Sequence, residues 1–156
     1  MSQGHANLNR AIADRLRADT GAGSLATLTQ HDAADPNEYR IGRDKPMKGA
    51  KTPYLGISVF QSIPLIDNGP SETQLARIHF RSYSRDALTS MQIADRLEHL
   101  LHSRGSNTSY LDFSDERITT QQVQFKRRED EDFDDKIDAW TSLVEADVIW
   151  LDEPCT

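Results

Sequence analysis

Cysteine is all but missing: Cys155, next to last of 156 residues, stands alone, which excludes an internal disulfide framework and any multi-cysteine zinc site. A reducing compartment fits that usage. No stretch approaches the roughly 18 apolar residues of a membrane span, and the leading MSQGHANLNR lacks an apolar core, so a soluble, unexported chain without membrane contact is expected. Positive charge is in deficit. Lys and Arg number 18 against 25 Asp and Glu, a net charge of -7, short of the basic footprint that general nucleic-acid binding requires. The deficit is C-terminal: residues 1–80 carry 9 basic against 8 acidic side chains, residues 81–156 carry 9 against 17. Also missing are a G-x-S-x-G elbow, a Walker-type loop and a dinucleotide glycine motif, so nucleophilic and nucleotide chemistry have no anchor. Neither an enzyme nor a cofactor is expected. Apolar residues make up only 37%, enough for one domain with one core but leaving polar loops that the core does not need.

What is present is organised around residues 73–105, where a period-two stretch runs into a period-3.6 stretch without Gly or Pro between them. Ala76, Ile78, Phe80 and Ser82 share one face of a strand, with Leu75, Arg77, His79, Arg81 and Tyr83 on the other. Met91, Ala94, Leu97 and Leu101, flanked by Ile93 and Leu100, then form a helical stripe, with Asp86 as N-cap and Gly105 as stop. The junction predicts an α+β domain: a mainly antiparallel sheet with this long helix packed on one face.

The remaining chain supplies a short N-terminal helix over residues 7–19, from Leu8, Ile12 and Leu16, and an aperiodic basic loop over residues 31–52 that includes Arg43, Lys45, Lys48 and Lys51. That loop is a candidate partner-binding arm. Pro53 opens a strand with Leu55, Ile57 and Val59 inward, joined to the central strand by a wide hairpin loop. After the helix come a short extended piece at residues 110–113 and a strand over residues 117–127, whose apolar residues change parity between Ile118 and Val123, the mark of a bulge. Residues 129–138, which begin EDEDFDD, are expected to be a solvated acidic loop. The last strand, residues 139–152, has apolar residues on both faces. Leu143, Ile149 and Leu151 on the second face suggest another subunit.

Two metal-like patterns fall short. His99 and His102, with Asp95 one turn earlier, mark no third or fourth ligand, and solvated histidines are the better reading. Asp130, Asp132 and Asp134 have the spacing of a calcium loop, but Asp135 stands where glycine is needed and Thr141 where glutamate is, so an EF-hand is rejected and no metal is expected.

Read as a whole, NLNRAIADRLRADTG, then TPYLGISVF, then RIHFRSYSRD running into ALTSMQIADRLEHLLHS, and the closing DAWTSLVEADVIW, resemble the tail terminator, or tail-completion, proteins of long-tailed bacteriophages. The resemblance implies a structural virion protein, assembled in the host cytoplasm and placed at the head–tail junction. It would form a ring, usually of six subunits, that caps the tail tube protein, stops its polymerisation and offers its other face to a head-completion protein. Genomic DNA would pass through the lumen without specific binding, and acidic residues 129–135 lining that lumen would keep it from sticking. Arg43, Lys45, Lys48, Lys51, Leu143, Ile149 and Leu151 are the candidate subunit and partner contacts, and an aspartate at position 143 or 149 is expected to abolish assembly while sparing the monomer. A head-closure ring, or a small cytoplasmic adaptor with a surface groove, are the competing readings.

Overall fold

A computed structural model of the chain describes residues 3–30, 40–43, 52–64, 73–102 and 109–151. Its elements run α1 (Gln3–Arg17), α2 (Leu25–Thr29), β1 (Ile41–Arg43), β2 (Tyr54–Pro64), β3 (Thr73–Ser84), α3 (Ala87–Leu101), β4 (Thr119–Asp134) and β5 (Ala139–Leu151). The five strands form one sheet in the order β1-β2-β3-β5-β4. Only β1 and β2 are parallel. The α+β class and the mainly antiparallel sheet therefore stand as expected.

β3 is the middle strand, and its alternation sorts the molecule into two sides. Ala76, Ile78 and Phe80 face inward, fully buried, and the register sets Ile57 and Val144 beside Phe80. α3 lies across this inner face, starting where Asp86 accepts hydrogen bonds from Leu88 N at 3.2 Å and Thr89 Oγ1 at 3.0 Å. It buries Ile93, Ala94, Leu97, Leu100 and Leu101 against β3, β4 and β5. Beneath its first turns the sheet is lined by hydroxyls instead of apolar groups. Ser82 Oγ lies 2.9 Å from Ser90 O and 2.8 Å from Ser90 Oγ, which in turn reaches Ser142 Oγ at 3.2 Å. Small residues allow the helix to approach the strands closely there, and each buried hydroxyl has a partner.

α1 covers β1 and β2 and adds Leu8, Ile12 and Leu16 to the same core. Asn9, mid-helix and buried, donates from Nδ2 to Ile57 O at 2.9 Å, pinning α1 to the β2 backbone. α1 and α3 are joined at Asp19, whose carboxylate takes Arg96 Nε at 3.0 Å, Arg96 Nη2 at 2.7 Å and the Leu25 N–H at 2.8 Å. The last bond satisfies one of the free amides that begin α2.

Three expectations change. Residues 31–52 are not all loop, because Ile41–Arg43 pairs in parallel with β2 and Arg17 caps the outer side of β1 through Ile41 O at 2.6 Å. Three residues are too few for periodicity to announce a strand. Tyr110 and Leu111 form a turn, and residues 112–113 belong to no strand. The acidic stretch is not a loop either: residues 129–134 are the outer half of β4, paired to β5 from Glu129 opposite Leu143 to Asp134 opposite Ala139, and only residues 135–138 turn the hairpin. The backbone ladder to β5 holds the strand whatever its side chains, and on this edge strand Glu129, Asp130 and Asp132 remain exposed and discourage edge-to-edge pairing. The expected bulge is present between Thr120 and Gln122, with two more further along β4. Gly105, Cys155, Lys45, Lys48 and Lys51 lie outside the described residues.

Candidate interaction surface

Both α1 and α3 pack on the inner face, and among the described residues no element covers the other. Its chemistry follows from register. β3 presents Arg77 and His79, β5 presents Glu145 and Asp147, and antiparallel pairing sets Arg77 opposite Asp147 and His79 opposite Glu145. Arg77 Nε lies 3.2 Å from Asp147 Oδ1, and His79 Nε2 lies 2.9 Å from Glu145 Oε2. β4 adds cations from the opposite flank, Arg127 Nε at 3.3 Å from Glu145 Oε2 and Lys126 Nζ at 3.6 Å from Asp147 Oδ2. The two acids, each 8% exposed, thus sit between cations on both neighbouring strands. The hydrogen bond that Arg77 donates to Asp147 holds its guanidinium above the usual pKa, and nearby Glu145 adds to the effect. This zipper fills most of the middle of the face with paired charge.

At one end the surface becomes apolar. Ile63 pairs with Leu75 and Leu75 with Ile149, giving a row across three strands, and Leu151 follows opposite Thr73. A hollow of about 90 Å³ opens between Ile63, Leu75, Arg77 and Asp147. Phe60 is 65% exposed and stacks on His79, with centroids 5.0 Å apart and planes 11° from parallel. Ile63 is 44% exposed, while Ile149 and Leu151 are half-buried.

The interface residues read from the sequence are therefore divided. Ile149 and Leu151 join the apolar row on the uncovered face. Leu143 lies on the same face but six strand positions from Ile149, and at 4% exposure it is already buried by the monomer. An aspartate there attacks the fold itself, so the expectation that Leu143→Asp spares the monomer does not hold. Arg43 is placed only by its backbone, in β1. Phe60, Ile63 and Leu75 were missed. The β2 bulge between Val59 and Gln61 explains Ile63: simple alternation from Leu55, Ile57 and Val59 turns it inward, and one extra residue turns it out.

His99 and His102 do not converge on a metal site. His102 packs its ring 5.2 Å from that of Phe125 and lies 3.9 Å from Glu98, and among the described residues no group of three His, Cys, Asp or Glu is arranged to hold an ion. Among the described residues no helix is long and apolar enough to cross a membrane. No protein-family model matches the chain, and a search of curated proteins finds no match to it.

Proposed function

We propose that this chain is a ring-forming structural subunit of the tail-terminator kind. It caps the head-proximal end of a phage tail tube, stops the tube from growing and presents its other side to a head-completion protein, with DNA passing through the ring unbound. In this reading the protein resides at the head–tail junction of the virion and acts sterically. The observation that carries the proposal is the uncovered sheet face, with the apolar row Ile63, Leu75 and Ile149 beside the exposed ring of Phe60. Isolated exposed apolar residues are ordinary, but a contiguous row on an uncovered sheet face marks a surface for another protein. Ring closure requires that this face meet a different surface of the next subunit, because a surface that meets itself closes at a dimer.

Negative-stain imaging of the purified protein at high concentration tests the reading. Rings with six-fold averages are expected. A uniform population of monomers or dimers that also leaves purified tail tubes uncapped and free to elongate would refute it and favour an adaptor.

A further inference from the structure

Among the described residues four large apolar side chains are exposed: Phe60, Ile63, Leu88 at 59% and Phe133 at 41%. They divide two and two. Phe60 and Ile63 belong to the uncovered face, at the Pro64 end of β2. Phe133 and Leu88 belong to the other side of the sheet, at its hairpin end. Phe133 pairs with Trp140, whose parity along β5 is that of Val144 and Val148 in the core. Its ring meets the Trp140 ring edge-on, with centroids 5.3 Å apart and planes at 67°. Leu88 stands in the first turn of α3, two residues before the Ser90 that touches Ser142, itself two positions along β5 from Trp140. Helix and hairpin thus bring a second apolar patch to the surface where the inner layer ends.

The two patches cannot meet within one chain. Ile149 and Trp140 stand nine positions apart on β5, so at roughly 3.4 Å per residue the patches lie roughly 30 Å apart, on opposite faces. One subunit can therefore offer both at once to two neighbours. Charge does not decide what the first patch takes, because the zipper beside it is paired internally: Arg77, Lys126 and Arg127 hold Glu145 and Asp147, and Glu129 holds Arg127 in turn. The row of Ile63, Leu75 and Ile149, with the hollow of about 90 Å³ beside it, instead suits an apolar knob. The Phe133 ring is such a knob. Its orientation is set by Trp140, which lowers the cost of ordering it on contact.

From this arrangement we infer that Phe133 and Leu88 of one subunit dock against Phe60, Ile63 and the hollow beside Leu75 on the next. The inference rests on the ring reading above and names the surface that the uncovered face meets. The occupant is a second copy of this chain, because the chain itself carries an apolar counterpart where a heterologous contact needs one, on the opposite face and at the opposite end. Each contact leaves one patch free on either side of the growing row, and the row ends only when the ring closes. Aromatic anchors seated against apolar hollows then carry most of the binding.

Sedimentation velocity on the full chain tests this with two double variants, Phe60→Asp with Ile63→Asp on the face and Leu88→Asp with Phe133→Asp at the hairpin end. Each alone is expected to self-associate at least roughly thirtyfold more weakly than the parent chain, the scale of losing an interface anchor. Mixed one to one they should give a heterodimer and nothing larger, because each keeps the patch that the other has lost and their single contact has no successor. Leu88→Asp by itself leaves the Phe133 and Trp140 pair intact and should weaken assembly in the same direction, which separates the contact from any loss of fold at Phe133. If the folded Leu88 and Phe133 variant forms rings like the parent, or the mixture of two monomeric variants stays monomeric, the patch-to-patch contact is overturned while the ring reading stands. A parent chain that is monomeric at high concentration overturns the contact, and one that also leaves tail tubes uncapped overturns the ring reading with it.

Discussion

Asp19 is the residue on which the helical layer turns. Its backbone N–H closes α1 on Leu16 O, and its carboxylate, in a site only 6% exposed, starts α2 and holds α3 through Arg96. Burial pushes its carboxyl pKa up, but the hydrogen bonds from Arg96 and the Leu25 N–H outweigh that and leave it below the usual carboxylate value. A carboxyl with a depressed folded-state pKa binds protons less readily folded than unfolded. Its contribution is thus complete above the unfolded value near 4 and is lost as pH falls through the lower folded value. Asp19→Asn keeps the shape but loses the charge, and should cost about 2 kcal/mol at neutral pH. Chemical denaturation across pH 3 to 7 checks this: the gap between parent and variant should be constant above roughly pH 5 and close below roughly pH 4. A pH-independent gap would show that geometry, not charge, supports the junction.

At the scale of the element, the β4–β5 hairpin shows what side-chain pattern reports and what it does not. The β3–α3 unit was readable because both halves bury one face against the same core, so Ile78 and Phe80 repeat by two and Ile93, Leu97 and Leu100 by three and four. The outer half of β4 was not readable, because residues 129–134 are held by backbone pairing with β5, which hydropathy does not record. β1 was lost to its three-residue length, and the outward turn of Ile63 to a bulge. Nor does the charge zipper appear in either strand alone, since Glu145 and Asp147 acquire partners only once register is known. Arg128 is another such feature. From the edge strand it reaches across to α3, contacting Asp95, Glu98 at 3.2 Å and Met91 O at 3.3 Å, while Asp130 holds its Nε at 2.7 Å. Burial works against its charge, yet the hydrogen bonds it donates to Asp130 and Asp95 raise its pKa further above the arginine norm. Its partner Asp95 is well exposed, so solvent screening limits the gain, and Arg128→Ala should cost roughly 1 to 1.5 kcal/mol. The loss should be local. Hydrogen exchange is expected to speed up roughly tenfold in the amides of residues 127–134 and leave β2 and β3 unchanged; a uniform change across the sheet would show that Arg128 supports global stability instead.

For the whole molecule, the two sides of the sheet differ in what an added charge does, and this separates folding from assembly. The inner side is closed by α1 and α3 into one core, so the apolar burial of the fold is concentrated there. The outer side keeps Phe60 at 65% exposure and Ile63 at 44%, so the monomer gains little from either. Phe60→Asp combined with Ile63→Asp should therefore leave the unfolding midpoint within roughly 0.5 kcal/mol of the parent, the range of surface substitutions, while removing the apolar end of the face. Rings should then be lost from stained images with the monomer intact. Leu143→Asp shares the face but buries a carboxylate where exposure is 4%, and should cost at least about 3 kcal/mol in monomer stability. Unfolding curves and images taken on both variants give a joint outcome. Loss of rings from the Phe60 and Ile63 pair without loss of stability assigns the uncovered face to assembly. Rings that persist in that folded variant would show that the face is solvated in the assembled state, and that subunits join through other surfaces.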